Sequence, residues 1–323
     1  MNILVTGGAG FIGSNLVEAL LEDERVALVR VLDNLSTGFE KNLKEVRQHP
    51  KFEFVEGDIR DYDTCYRVCE GINLISHQAA LGSVPRSIND PLTTNAVNIT
   101  GTLNIFTAAK EQGVKRIVFA ASSSTYGDSE SLPKVEHLIG KPLSPYAVTK
   151  YVNELYADVY SKLYNLEYVG LRYFNVFGPK QDPNGAYAAV IPLFMMAAIE
   201  GRQPTINGDG SYSRDFTYVA NAVQANILAL FSGEEKAINN IYNIAYGERT
   251  TLNQLWQYIN EITDTNIEPD YGSYRSGDIP HSLADITKAK TLLQYNPLYN
   301  VKQGLSVSYD WYKAVMYQQS HSN

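Results

Sequence analysis

The chain has only two cysteines among its 323 residues. Cys65 and Cys69 have the i, i+4 spacing of one helix face, and no nearby cysteine or histidine completes a set of zinc ligands. This scarcity excludes a disulfide-stapled secreted domain. We therefore expect ordinary packed thiols in a reducing, cytoplasmic protein, and no metal site.

Long apolar runs and an excess of basic residues are also missing. The longest mostly apolar stretch, 188–199, is too short to cross a bilayer and contains Pro192. The first apolar run ends at Thr6 and no basic leader precedes it, so we expect no secretory signal and no membrane partner. With 27 basic against 35 acidic residues, the net charge is −8, which argues against a nucleic-acid surface.

The first half of the sequence does contain a regular alternation of apolar runs and helical patterns. Apolar strands separated by helices predict a doubly wound parallel (Rossmann) α/β sheet that is covered on both faces and binds ligands at the carboxyl ends of its strands. The strands are predicted at 3–6, 27–32, 52–56, 74–77, 116–121 and 168–173, and the helices at 11–21, 62–69, 95–112 and 146–164.

The alternation fades after Phe174, and turn-rich loops follow at 178–185 and 207–211. This change indicates a smaller mixed α/β C-terminal lobe with long loops. We predict a dinucleotide-binding domain at 1–174, to which 217–247 returns, and a second lobe at 175–323. Helices of the second half are predicted at 188–200, 219–231, 252–263 and 301–317.

Glycines cluster directly after the first predicted strand. Gly7, Gly10 and Gly13 allow a tight turn, close approach of backbone to a pyrophosphate, and close packing of helix on strand, while the helix N-terminus offers N–H groups to phosphates. Asp33 lies 20 residues beyond Gly13, where a carboxylate binds ribose hydroxyls and repels a 2′-phosphate. The cluster predicts an NAD site rather than an NADP site. Ser14, where a lysine would be needed, excludes a P-loop.

A tyrosine and a lysine with i, i+4 spacing follow the fifth predicted strand. Tyr146 and Lys150 share a helix face, and the serines at 122–124 precede them at the predicted carboxyl edge of the sheet. Because a neighbouring ammonium favours phenolate, Tyr146 can act as a general base. Tyr309 and Lys313 have the same spacing without this context, and we interpret them as a chance pair.

Together these segments resemble the extended short-chain dehydrogenases/reductases that modify nucleotide sugars and, more narrowly, the UDP-N-acetylglucosamine 4-epimerases of bacterial surface-polysaccharide pathways. The similarity runs over nearly the whole chain. It implies NAD as cofactor, a UDP-sugar substrate bound by the second lobe, and a homodimer in which helices 95–112 and 146–164 form a four-helix interface. The segments that carry it are 6–13, 58–61, 77–80, 122–127, 144–150 and 171–178.

The resemblance also implies roles for individual residues. Ser122 would hydrogen-bond the reacting hydroxyl beside Tyr146 as catalytic base and Lys150 as its electrostatic partner. Arg214 and Arg275 would clamp the diphosphate, which guanidinium groups suit. Cofactor contacts are expected from Gly7, Gly10, Phe11, Ile12, Gly13, Asp33, Asn34, Ser36, Gly38, Asp58, Ile59, Gln78, Ala79, Ala80, Asn95, Tyr146, Lys150 and Tyr173. Substrate contacts are expected from Gly82, Ser83, Ser122, Ser123, Ser124, Asn175, Gln181, Ala189, Val190, Asn207, Arg214, Arg275, Asp278 and Ser282.

The residues after Ser122 indicate which type of reaction the site would catalyse. Related dehydratases carry an Asp-Glu pair at the next two places, and decarboxylating relatives tend to carry Glu at the second of them, whereas this chain has Ser123 and Ser124. Without an acid to eliminate water, the resemblance implies oxidation at C4 and reduction from the opposite face. The cofactor is then regenerated in every cycle.

Small or amide-bearing residues indicate which sugar the site prefers. Gly82, Ser83, Gln181 and Ser282 match the N-acetyl-preferring epimerases and can leave room for a 2-acetamido group. The predicted function is the interconversion of UDP-GlcNAc and UDP-GalNAc. A 4-epimerase of UDP-uronic acids or UDP-glucose, and a non-catalytic NAD-binding scaffold, are the alternatives.

Overall fold

A computed structural model describes residues 1–185, 188–274 and 279–320, with side chains to residue 317. Within these residues the chain forms thirteen strands. The strands are β1 Asn2–Thr6, β2 Leu28–Asp33, β3 Phe52–Glu56, β4 Leu74–His77, β5 Arg116–Ser122, β6 Glu167–Tyr173, β7 Val176–Phe177, β8 Thr205–Asn207, β9 Ser213–Arg214, β10 Thr217–Tyr218, β11 Asn240–Ile244, β12 Thr250–Thr251 and β13 Asp270–Gly272.

Helices connect most of these strands, and three short 3₁₀ turns occur at Glu40–Leu43, Ser123–Tyr126 and Glu235–Ala237. The helices are α1 Phe11–Leu21, α2 Tyr62–Val68, α3 Val84–Asn89, α4 Pro91–Asn95, α5 Thr102–Glu111, α6 Pro145–Tyr164, α7 Val190–Ile199, α8 Val219–Phe231, α9 Leu252–Thr263, α10 Thr287–Leu292 and α11 Val301–Ser320. None of them has the length and apolar character needed to cross a bilayer.

Seven strands form one parallel sheet in the order β11-β6-β5-β4-β1-β2-β3. Helices α2, α5 and α6 cover one face, and α1 and α8 cover the other. Ile3, Leu4 and Val5 of β1 are fully buried, as expected of a strand packed on both sides. The predicted doubly wound α/β fold is confirmed.

The seventh strand, β11, was not predicted as a strand. It pairs with β6, and α8 packs beside it on the sheet. Both elements lie in 217–247, the segment expected to return to the first domain. The domain boundaries themselves remain a prediction.

The second lobe contains three two-stranded pairs, β10-β7, β12-β9 and β13-β8, together with α7, α9 and the C-terminal helix α11. Helix α9 begins with a capping box in which Thr251 and Gln254 bond each other's backbone N–H groups. This lobe packs beside the carboxyl edge of the sheet, where the ends of β1, β2, β4, β5 and β6 lie side by side.

The predicted helix 95–112 begins earlier, at Pro91, and includes one π-helical segment, Ala96–Gly101, between α4 and α5. Asp90 caps its start by accepting a hydrogen bond from the Thr93 N–H at 3.0 Å. A π turn adds a residue to the helical repeat and so changes which side chains face the sheet. Here it leaves Asn95 exposed and buries Asn98.

Candidate active site

The carboxyl edge of the sheet borders a cleft of about 510 Å³. Most residues predicted for cofactor and several predicted for substrate line it, although their roles remain predictions. The predicted residues in its wall are Gly7, Gly10, Phe11, Ile12, Gly13, Asp33, Asn34, Ser36, Gly38, Asp58, Ile59, Gln78, Ala79, Ala80, Gly82, Ser83, Ser122, Tyr146, Lys150, Tyr173, Asn175 and Gln181.

The glycine turn has the geometry that a pyrophosphate needs. Gly7 has φ +70°, and a Cβ on it would lie 2.6 Å from the Ala79 nitrogen. A Cβ on Gly13 would lie 2.1 Å from the Gly7 carbonyl oxygen, so helix and turn can pack only around glycine. Gly10 is the N-cap of α1, where no side chain caps the helix and no acidic residue occupies the first turn. The N–H groups of this helix end are thus available to a negatively charged group.

Asp33, at the end of β2, is fixed at the side of this turn. Its carboxylate accepts hydrogen bonds from the backbone N–H groups of Ala9 and Leu35, both at 2.9 Å. Burial raises the pKa of Asp33, while these two donors lower it in part. The carboxylate is therefore held beside the space next to the glycine turn, as a ribose-binding residue requires.

Asp58 lies in the same wall and is held by two neighbours. Arg60 forms a bidentate ion pair with it, and the Asn34 amide donates to its Oδ2 at 2.8 Å. The hydrogen bond with Arg60 is the main reason why the pKa of Asp58 falls to about 2. The carboxylate therefore stays ionised and keeps a fixed orientation.

Tyr146 and Lys150 enter the cleft from the first turns of α6. Ser144 caps this helix by accepting from the Ala147 N–H at 3.1 Å, and Pro145 takes its first position. The Lys150 Nζ lies 5.9 Å from the centre of the Tyr146 ring and donates to the Ala120 carbonyl at 2.8 Å. Ser122, at the end of β5, lies in the same cleft wall as this pair.

Burial shapes the electrostatics of this group. Burial lowers the pKa of Lys150 to about 8 and raises the pKa of Tyr146, and the Ser122 hydroxyl lowers the pKa of Tyr146 in part. His77, at the end of β4, is fully enclosed, and burial lowers its pKa to about 3, with a smaller contribution from the charge of Lys150. His77 is therefore a neutral hydrogen-bonding residue near neutral pH and does not compete with Tyr146 as a base.

Asn98 is a buried residue beside the cleft wall that sequence reasoning missed. Its amide accepts from the Leu81 N–H at 2.8 Å, and donates to the Leu81 carbonyl and to Thr149 Oγ1, both at 3.1 Å. It thereby ties the cleft wall at Leu81 to the helix that carries Tyr146. Its position in the π-helical segment Ala96–Gly101 left no regular helical spacing by which the sequence could have indicated it.

A second cavity, of about 170 Å³, continues from the cleft into the second lobe. Asn175, with φ +34°, lines both. The Tyr212 and Tyr274 rings lie 5.0 Å apart in its wall. Arg214 also lines this cavity, and its guanidinium donates to the carbonyls of Ser213 and Pro280. Its remaining lining residues are Val190, Asn207 and Leu252.

Five of the predicted residues that the structure describes line neither cavity: Asn95, Ser123, Ser124, Ala189 and Ser282. Ser123 and Ser124 form the turn after Ser122, and the Ser124 hydroxyl donates to Ser122 Oγ at 2.9 Å. Ala189 is the N-cap of α7. The Ser282 N–H donates to the Ser213 carbonyl at 3.1 Å, beside Arg214. Arg275 and Asp278 lie outside the described residues.

Comparison with known proteins agrees with this geometry. Residues 3–245 match the family described as NAD dependent epimerase/dehydratase. A UDP-N-acetylglucosamine 4-epimerase from Methanobrevibacter ruminantium, solved with UDP-N-acetylmuramic acid, is 40% identical over 98% of this chain and 99% of its own, with a TM-score of 0.92. UDP-glucose 4-epimerase from Thermotoga maritima, solved with UDP-glucose, is 38% identical over 98% of this chain and 100% of its own (TM-score 0.91).

UDP-glucuronic acid 4-epimerase from Bacillus cereus, solved with UDP-glucuronic acid and NAD, is also similar. It is 31% identical over 98% of this chain and 100% of its own, with a TM-score of 0.90. The three structures share one architecture and one kind of reaction but differ in the sugar.

Proposed function

The chain belongs to the NAD-dependent epimerase/dehydratase family, and from this premise we propose that it is a UDP-sugar 4-epimerase that interconverts UDP-GlcNAc and UDP-GalNAc. The observation that carries the proposal is the convergence of Ser122, Tyr146 and Lys150 on a cleft that also contains the glycine turn and Asp33. One part of such a site suits proton transfer and the other suits a dinucleotide.

The residues of the cleft fit NAD. The open N-terminus of α1 at Gly10 would hold the pyrophosphate, Asp33 the adenosine ribose, and Asp58 with Ile59 the adenine. Bound NAD supplies a hydride acceptor and, in the return step, a hydride donor. The carboxylate of Asp33 next to the glycine turn favours NAD over NADP.

Tyr146 is the proposed base that takes the proton of the C4 hydroxyl, and it returns this proton when the 4-keto sugar is reduced. Ser122 would hold the same oxygen by a hydrogen bond. Because burial raises the pKa of Tyr146, the phenolate needs a nearby positive charge, and the Lys150 ammonium is well placed to supply it. Ser123 and Ser124 carry no acidic group that could help to eliminate water, which favours epimerisation over dehydration.

The second cavity is the proposed site of the nucleotide. Epimerisation requires the sugar to turn over while its carrier stays anchored. Arg214 would bind diphosphate oxygens there, and Asn207 can hydrogen-bond uridine. Asn175 lies between the two cavities, where diphosphate and sugar would meet.

Gln181, one of the residues predicted for the acetamido pocket, offers an acceptor to the sugar. Its Oε1 is buried in the cleft wall and has no hydrogen-bond partner among the described residues. A buried amide oxygen without a donor is costly, so the position favours a ligand that brings an N–H or O–H group. The Tyr312 hydroxyl fixes the loop by donating to the Gln181 carbonyl at 2.7 Å.

We include a cytoplasmic homodimer in the proposal. Val148, Leu155, Val159 and Leu163 on α6 are exposed, as is Leu92 on α4, which is 82% accessible. An apolar stripe of this kind is suited to a second copy of the chain. Both thiols are unpaired and buried, which agrees with a reducing compartment.

A substrate panel tests the proposal. The purified protein is expected to carry bound NAD and to convert UDP-GlcNAc to UDP-GalNAc without consuming added cofactor. UDP-glucose and UDP-glucuronic acid are assayed separately, because relatives act on each of them. A preference for either would replace the N-acetyl assignment, release of NADP alone would refute the cofactor assignment, and consumption of NAD with each product would refute epimerisation.

Ser282 lines neither cavity, so Ser282→Tyr tests whether the predicted acetamido pocket extends to this residue. If Ser282 borders this group, the added ring occupies its space, and overpacking of about 1–3 kcal/mol should reduce kcat/KM for UDP-GlcNAc roughly tenfold to a hundredfold. UDP-glucose lacks the acetyl group and should lose much less. Equal losses on both sugars, with bound NAD unchanged, would show that Ser282 does not contact the acetamido group.

A further inference from the structure

Helix α8 places a fully buried asparagine, Asn226, behind the reacting end of the cleft. Its Nδ2 donates to the Tyr173 hydroxyl at 2.7 Å and to the Ala222 carbonyl at 2.8 Å. Its Oδ1 accepts from Gln78 Nε2 at 3.0 Å and from the Ser76 hydroxyl at 3.2 Å. All four hydrogen-bonding positions of the amide are therefore used.

These contacts set the direction of every proton in the cluster. Because Asn226 donates to the Tyr173 oxygen, the Tyr173 proton is free to go to Gln78 Oε1, which lies 3.2 Å away. Gln78 then uses its own Nε2 hydrogens on Ser76, at 2.9 Å, and on Asn226. Each donor in this hydrogen-bond network has an acceptor within it, and the amide of Asn226 determines the direction in which these hydrogen bonds run.

Two residues of the cluster, Tyr173 and Gln78, also line the cleft. Tyr173 is the partner of Ser122 in the register of β6 on β5. Gln78 directly follows β4, and its neighbour Ala79 also lies in the cleft wall. The Tyr173 hydroxyl is directed toward a fully buried partner, although Tyr173 also lines the cleft.

We propose that Asn226 is a positioning residue for bound cofactor, because it orients Tyr173 and Gln78 as the wall of the reacting end of the cleft. This inference rests on the proposed function for the location of the cofactor. Asn226 itself touches neither cavity.

The test compares Asn226→Leu with Asn221→Leu in the NAD-loaded protein. Asn221 is a buried asparagine on the same helix, and its amide bonds the backbone of Leu298 and Tyr299 instead of the cleft. The rate at which bound NAD exchanges with isotopically labelled NAD is measured without sugar, and Tm is measured separately. We expect at least tenfold faster exchange for Asn226→Leu and less than twofold for Asn221→Leu, although both lower Tm.

The second part of the experiment uses the Tyr173→Phe variant. In this background, Asn226→Leu should accelerate exchange by a smaller factor, since one of the two side chains that Asn226 orients has lost its hydroxyl. If the Leu variant does not fold, Asn226→Asp keeps the size and an acceptor oxygen, removes the donor to Tyr173, and should also accelerate exchange.

Wild-type exchange in a folded Asn226 variant would overturn the proposal, as would the same acceleration with and without the Tyr173 hydroxyl. The measurement is independent of the sugar reaction. A protein that epimerises no UDP-sugar can still show the Asn226 effect, and an active epimerase can lack it.

Discussion

Tyr146→Phe is expected to lower turnover of UDP-GlcNAc at least about a hundredfold, the usual scale for loss of a general base, while bound NAD is retained. The substitution removes only the phenolic oxygen and keeps the ring that lines the cleft. The measurements are kcat by product separation and the NAD content of the purified variant. A loss confined to KM would indicate that the hydroxyl binds the sugar without taking its proton.

Tyr309→Phe is the matched control. Tyr309 is also followed four residues later by a lysine, and the Lys313 Nζ lies 5.5 Å from the centre of its ring. It lies on α11, away from both cavities. This variant should keep near-normal turnover. Near-normal turnover in Tyr146→Phe would instead mean that the catalytic assignment is wrong.

These two pairs show how far local sequence can locate a site. The distance from lysine nitrogen to tyrosine ring is 5.9 Å in the Tyr146 pair and 5.5 Å in the Tyr309 pair, so the local geometry of the two i, i+4 pairs is similar. The two pairs differ in their tertiary environment. Lys150 is 4% accessible at the end of the sheet, whereas Lys313 is exposed. Sequence favoured the Tyr146 pair because the predicted end of β5 placed the serines at 122–124 at the carboxyl edge of the sheet, and its catalytic role remains a prediction.

The central sheet was predictable for a similar reason. Strands that are buried on both faces need continuous apolar runs, and those runs are visible in the sequence; the bounds of β4, in which every residue is buried, agree with the prediction. The short strands of the second lobe have two or three residues each and leave no such pattern. Strand β11 was missed because its sequence, Asn-Ile-Tyr-Asn-Ile, carries two asparagines, which are uncommon in strands.

Residues that act through buried polar contacts were the least predictable part of the site. Asn98 bonds Leu81 and Thr149, and Asn226 bonds side chains 148 and 150 residues away in sequence. No spacing rule connects such positions. The π turn at Ala96–Gly101 adds to the difficulty, because it brings Asn98 into the interior while Asn95 stays in solvent.

The choice of sugar is the least constrained by fold. Relatives with TM-scores of 0.90 to 0.92 are named for glucose, glucuronic acid and N-acetylglucosamine. Function here depends on a few side chains around the sugar and not on the architecture. Gln181, with its unpaired amide oxygen in the cleft wall, is one described residue that can contact the sugar.

Lys150→Met should shift the acidic limb of the kcat/KM profile upward by about one to three pH units, the range over which a nearby opposite charge changes a pKa. Lys150 is buried, and its ammonium lies close to the Tyr146 ring, so its removal takes away the charge that favours phenolate. At pH 7 the rate should fall roughly tenfold or more, since each unit of pKa is a factor of ten. Methionine keeps a long unbranched side chain, and Lys313→Met is the control.

The sign of this effect follows from the pKa of Lys150, which burial lowers to about 8. The ammonium is present below that pH and is lost above it, while Tyr146 ionises more readily as the pH rises. The advantage of the wild-type enzyme should therefore be largest below pH 8 and shrink above it, so that the two profiles converge at high pH. A loss of equal size at every pH would mean that Lys150 acts by binding cofactor or substrate rather than by stabilising the Tyr146 phenolate.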